Sequence, residues 1–112
     1  MLFCLTGEYT AQALNAMAGN PATDREAAVA KAVGAAGGKL VSMYARAAHG
    51  PGVLVIFDMP DPDMAAAITG LAVATGAIQN PELSRLYTMA EMRTIRDKRV
   101  KLGGAYKPPG QA

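Results

Sequence analysis

The chain has 112 residues, of which 51% are hydrophobic and 18% charged, and its net charge is +2. Such a length is one domain, and so small a charge does not by itself imply a nucleic-acid partner. A single cysteine, Cys4, and a single histidine, His49, exclude an internal disulfide and a multi-cysteine zinc site, leaving any metal centre dependent on carboxylates. No apolar run approaches the roughly 20 residues of a membrane span, and the apolar start Met1–Leu5 is too short for a signal peptide. The expectation is a cytoplasmic protein with no cofactor, no metal, no nucleic-acid partner and no membrane contact. Low charge beside abundant Ala, Val, Leu and Met also points to apolar surface hidden between subunits.

In chain order, Leu2–Tyr9 opens with apolar residues in a row and reads as a strand covered on both faces. Ala11–Gly19 is rich in helix formers, and Asn20-Pro21 breaks it because proline lacks the N–H that a helix interior needs. A second helix follows, with Thr23 and Glu26 at capping-box spacing and Val29, Val33 and Ala36 as its apolar stripe. Gly37-Gly38 stops it. Lys39–Arg46 is the second strand, whose alternation sets Leu40, Ser42, Tyr44 and Arg46 on one face and Val41, Met43 and Ala45 on the other.

Residues 47–52, with two glycines and a proline, form a hairpin loop, and the apolar run Val53–Phe57 returns antiparallel as a strand buried on both faces. Asp61 caps a helix with Pro62 at its first position. Met64, Ile68, Leu71 and Thr75 recur at helical spacing, and Gly76 ends that helix. Residues 77–81 read as a connection and 83–88 as the fourth strand. Thr88 and Glu91 have capping-box spacing and open a short terminal helix. The domain is placed at 1–98, and 99–112, basic and then rich in glycine and proline, reads as a disordered tail.

This β-α-β-β-α-β order is ferredoxin-like: an α+β fold with a four-stranded antiparallel sheet, helices on one face and a short helix at the C-terminus. The third strand is apolar on both sides, so the sheet's other face needs cover that one copy does not supply. A homo-oligomer, dimer or larger, that packs sheet against sheet is the simplest solution.

Glu8-Tyr-Thr10, Gly37-Gly-Lys-Leu40, Tyr44, Gly50 followed by Val53-Leu-Val-Ile56, Pro60-Asp61, Ala74-Thr-Gly76, Tyr87-Thr88 and Glu91-Met92, in this order and spacing, resemble the GYD-domain family over about residues 5–95. The resemblance implies a ferredoxin-like domain of the dimeric α+β barrel type and no defined activity. The Gly-Tyr-Asp motif that names the family is replaced in the hairpin by Gly50-Pro51-Gly52, whereas Asp58 matches the acidic residue usual after the third strand. Similar barrels place a cleft between sheet and helices, and several use it on small organic substrates.

Candidate chemistry centres on His49, whose hairpin position suits a general base or an orienting donor, against the plainer reading of an exposed loop histidine. Tyr44 and Arg46 share a strand face and would hold an oxyanion or a phenolic ligand, against a cross-strand pair with a rim ion pair. Asp58 is a carboxylate for a small-molecule site or an ion-pair partner of Arg46 or Arg85. Tyr9, Arg85 and Tyr87 are candidate substrate-binding residues, the last two repeating the Tyr–Arg pattern on the fourth strand. Two functions are weighed, the first implied by the resemblance to such barrels and the second by the replaced Gly-Tyr-Asp motif and the lack of a recognised catalytic set. One is a cofactor-independent enzyme acting on a small organic molecule, with His49, Tyr44, Arg46 and Asp58 as catalytic residues. The alternative is a non-catalytic ligand-binding or assembly module. An open cleft with convergent polar groups favours binding or catalysis; a cleft filled by Met43, Met64 and Leu71 favours assembly.

Overall fold

The computed structural model describes residues 1–47 and 49–111. Ala48 of the expected hairpin loop and Ala112 of the expected tail lie outside the described residues. The elements are β1 (Leu2–Tyr9), α1 (Ala11–Gly19), α2 (Arg25–Ala35), β2 (Lys39–Arg46), β3 (Gly52–Asp58), α3 (Pro62–Ala74), β4 (Ile78–Leu86) and α4 (Met89–Leu102). The fold is α+β. Its four strands form one antiparallel sheet in the order β2-β3-β1-β4, consistent with a ferredoxin-like arrangement.

The two central strands carry the core. Phe3, Leu5, Val53, Val55 and Phe57 point to the helix side and are buried with Val33 of α2, Ala65 of α3, Met59 and Ile78. The Phe3 and Phe57 rings stack across the β1–β3 ladder with centroids 5.6 Å apart. On the other side lie Leu2, Cys4 and Thr6 of β1 and Leu54 and Ile56 of β3, all partly exposed. No helix packs broadly on that side.

Several local expectations need correction. The register of β2 shifts between Leu40 and Ser42. Val41 is thereby left exposed and Leu40 turns to the helix side with Met43, while Ser42, Tyr44 and Arg46 keep the open face. β4 begins at Ile78, not Leu83, because a bulge with Asn80 at φ 50° absorbs one extra residue opposite Gly7. Pro81 is tolerated there because β4 is an edge strand. The cap of α2 is Asp24, whose carboxylate accepts from the Ala27 N–H at 2.9 Å. Thr23 instead donates its hydroxyl to the Asn20 carbonyl at 2.7 Å, closing the preceding turn, so no Thr23–Glu26 box forms. The buried side of α3 is Ala65, Ile68 and Ala72; Met64 is exposed, and Leu71, 60% exposed, borders the gap between the helices.

Other readings hold. Asp61 caps α3 ahead of Pro62, and Thr88 and Glu91 form the reciprocal capping box of α4. α4 continues through Leu102, beyond the boundary placed at 98. It packs broadly on no other element, and the radius of gyration is 18.0 Å against about 13 Å for a compact chain of this length. Among the described residues, no helix is long and apolar enough to cross a membrane.

Two predictions follow from these contacts. Gly52 sits where a Cβ would collide with the Gly7 carbonyl oxygen across the β1–β3 ladder. Gly52→Ala should therefore lower stability by about 1–3 kcal/mol, read as a lower urea midpoint at unchanged slope. The Glu91 carboxyl is held below its ordinary value by the Thr88 backbone N–H first and by the Arg85 guanidinium next. A depressed folded pKa stabilises above the unfolded value and is lost as pH falls through the folded one. The stability gap between wild type and Glu91→Gln should thus be constant from neutral pH down to about pH 5 and close below the usual carboxylate range, as urea titrations across pH will show.

Candidate functional site: a cleft between the helices

α2 packs mainly over the edge strand β2 and α3 over the edge strand β4. The gap between them lies above β1 and β3. Small side chains face it from the helices, Ala28 and Ala32 from α2 and Ala72 from α3, so the gap is not filled. The result is a cleft of about 200 Å³ floored by Leu5, Val53, Val55 and Phe57 and walled by Val29, Val33 and Ile68. Met43 and Leu71 line it, but Met64 does not.

At one end the cleft adjoins an outer recess of about 370 Å³. α1 forms one wall of this recess with Gln12, Ala13, Ala16 and Met17; the α3–β4 turn, Thr75–Ala77, forms another. Thr10 ties the two walls together. Its side chain accepts from the Ala13 N–H at 3.0 Å and donates to the Gly76 carbonyl, while its own N–H donates to the Ala77 carbonyl at 3.3 Å. Gly76, at φ 78°, makes the left-handed turn that brings that carbonyl round.

Tyr9, Arg25, Thr75 and Ala77 line both spaces and so form the boundary between the apolar cleft and the more mixed recess. Tyr9 ends β1 and shares the helix-side parity of Phe3 and Leu5; its N–H donates to the Pro51 carbonyl at 2.8 Å. Arg25 is the first residue of α2 and is partly buried. It is the single charged side chain on either lining. The ion pairs among the described residues are Met1–Asp58 and Arg85–Glu91, and Arg25 belongs to neither.

Of the candidate catalytic and substrate-binding residues singled out from the sequence, Tyr9 alone lines this cleft. Tyr44 stands 59% exposed on the open sheet face beside Leu54. Arg46 shares that face beside Gly52, partly buried, and its Nε has no hydrogen-bond partner. His49 is exposed, at φ 58°, in the hairpin that joins the same strand ends. Asp58 closes β3 at its opposite end, about 20 Å from Gly52 at the usual rise per residue, and it pairs with the Met1 ammonium at 3.0 Å instead of Arg46 or Arg85.

Arg85 and Tyr87 lie far from Tyr9 along the ladder, since Arg85 is opposite Phe3. The Arg85 guanidinium lies 4.5 Å from the Tyr87 ring centroid, bonds Glu91 at 2.7 Å and donates to the Leu2 and Leu86 carbonyls. It is occupied in joining β4 to α4. Because Arg46 and Arg85 project to opposite faces, the two Tyr–Arg pairs do not build one polar site. Burial pushes the Cys4 thiol up, away from the reactive thiolate. Among the described residues, no three His, Cys, Asp or Glu side chains gather as a metal set.

Arg25 is the residue that sequence reasoning passed over. Its signal was electrostatic: a cation in the first turn of a helix opposes the macrodipole, so a specific partner should be sought for it.

A comparison with curated proteins finds no match. The family model of the GYD domain matches residues 3–95, which spans the whole sheet, the cleft and the first half of α4. The chain belongs to the GYD domain family.

Proposed function

We propose that the protein is a homo-oligomeric small-molecule-binding domain, each copy a ferredoxin-like half of a dimeric α+β barrel, with the ligand in the cleft between α2 and α3. The observation that carries this reading is the cleft itself: an apolar space of about 200 Å³ over the central strands, bounded at one end by convergent polar groups. An engineered cavity of about 150 Å³ is enough to hold benzene, so the volume suits a ring or a short branched chain. The oligomer is supported by the uncovered apolar face of β1 and β3 and by the projecting α4, on which Met89 and Val100 are exposed.

Binding is favoured over turnover by what the cleft presents. Its lining offers Tyr9, Arg25 and Thr75 as polar groups and no carboxylate, imidazole or thiol for proton transfer. A second reading puts chemistry at the hairpin end of the open face, with Tyr44 and Arg46 on the strand, His49 in the hairpin that follows, and Asp58 at the far end. The unpartnered Arg46 Nε favours it, since a buried donor left unmet invites an acceptor from a ligand or a second subunit.

Toluene, followed by methyl NMR, tests the cleft. At millimolar concentration it should shift the methyl resonances of Val29, Val33, Val55 and Ile68. Ala72→Phe, which fills the gap from α3, should remove those shifts and leave the fold intact. Shifts absent from the wild type, or undiminished in the filled variant, would contradict a cleft site.

A further inference from the structure

We propose that the cleft selects a small apolar monocarboxylate, with Arg25 as the group that binds its carboxylate. This rests on the reading of the cleft as a small-molecule site and adds the chemical class of the ligand. Arg25 lies at the boundary of the two spaces, between the apolar floor of the cleft and a mixed recess that adds Gln12, Asn20 and Thr23. A ligand that meets both sides has an apolar body in the cleft and a charged end at the boundary.

The charge of that end follows from Arg25. The guanidinium is always protonated, and here it is partly buried in a lining without any aspartate or glutamate. It stands at the N-terminus of α2, where the helix macrodipole repels a cation. A cation so placed is costly unless an anion meets it. The two acids that flank it in sequence turn elsewhere: Asp24 caps the Ala27 N–H, and Asp24 and Glu26 both line a separate recess beside Leu40 and Val41, neither forming an ion pair with Arg25. An incoming carboxylate offers two oxygens to the guanidinium fork and stands at the positive end of the same helix. Tyr9 lines the same boundary, and a phenolic hydroxyl donates to carboxylate oxygens; the Thr75 hydroxyl is already given to the Ala72 carbonyl at 3.0 Å. One arginine neutralises one negative charge, so a monoanion fits and a phosphate dianion leaves charge unmet. The cleft volume of about 200 Å³ limits the body to about one six-membered ring.

Benzoate, benzamide and toluene separate the parts of this proposal, because they share a ring and differ in charge and polarity. Each is titrated into the wild type, Arg25→Gln, Arg25→Lys and Ala72→Phe and followed by protein NMR. Benzoate should bind the wild type more tightly than either neutral probe. Arg25→Gln should weaken benzoate roughly ten- to a hundred-fold and leave toluene unchanged. Arg25→Lys, which keeps the charge but loses the fork, should bind benzoate more tightly than Arg25→Gln and less tightly than the wild type, and Ala72→Phe should lose all three probes. Removing a cation from a helix N-terminus does not weaken the helix, and the dispersion of the spectra reports folding of each variant. Benzoate binding no tighter than benzamide, or unchanged in Arg25→Gln, would overturn the carboxylate class while toluene binding leaves the cleft standing. Failure of all three probes to bind the wild type would overturn both.

Discussion

The structure depends on one imbalance. β1 and β3 are the central strands of the sheet and carry apolar side chains on both faces, yet the helices of one copy cover a single face. Phe3, Leu5, Val53, Val55 and Phe57 are buried beneath α2 and α3, while Leu2, Cys4, Leu54 and Ile56 remain partly exposed. Burying apolar surface contributes about 25 cal/mol per Å², so a second copy laid on this face gains from every side chain that one copy leaves wet. α4 adds to the imbalance, since its exposed Met89, Val100 and Leu102 have no cover of their own.

The covered face has its own incompleteness, and it is the useful one. α2 and α3 sit over the edge strands and meet the middle of the sheet with alanines. An alanine row is too short to close the space above two central strands, so the core divides into a packed end around Phe3, Met59 and Ala65 and an open end bordered by Tyr9 and Arg25. Arg85 and Glu91 belong to the packed end, where their ion pair joins the sheet to α4. Among the described residues, Arg25 at the mouth of the cleft belongs to neither ion pair, and the buried Nε of Arg46 on the open face has no hydrogen-bond partner. The first faces a space sized for a small molecule; the second faces where another subunit would lie.

The order of strands and helices was legible in the sequence because its signals are local. Val53–Phe57 is apolar without interruption, Asp61-Pro62 is a helix start, and Thr88 with Glu91 is a capping box whose two bonds both form. The errors arose where a single residue alters register. The shift at Val41 turned Leu40 to the other face, and the bulge at Asn80 carried β4 back to Ile78 through what read as a connection. On α3 the larger Met64 and Leu71 suggested the buried stripe, but the sheet takes Ala65, Ile68 and Ala72. The site was less legible than the fold. Histidine, tyrosine and arginine on strands attract attention by residue type, whereas the cleft arises from a gap between helices and from alanines that carry no chemical signal. Arg25 was visible only as a charge at the wrong end of a helix.

Cys4 gives the most direct measurement of the uncovered face, because this single thiol lies at its centre beside Ile56 and Ser84. Its rate of reaction with an aromatic disulfide reagent should be taken on the native protein at tens of micromolar and on the urea-unfolded chain. If a second copy covers the sheet, the native thiol reacts at least about a hundred-fold more slowly, through opening of the interface alone. A native rate within a few-fold of the unfolded one would mean that the face stays open to solvent, and an assembly through the sheet would be wrong.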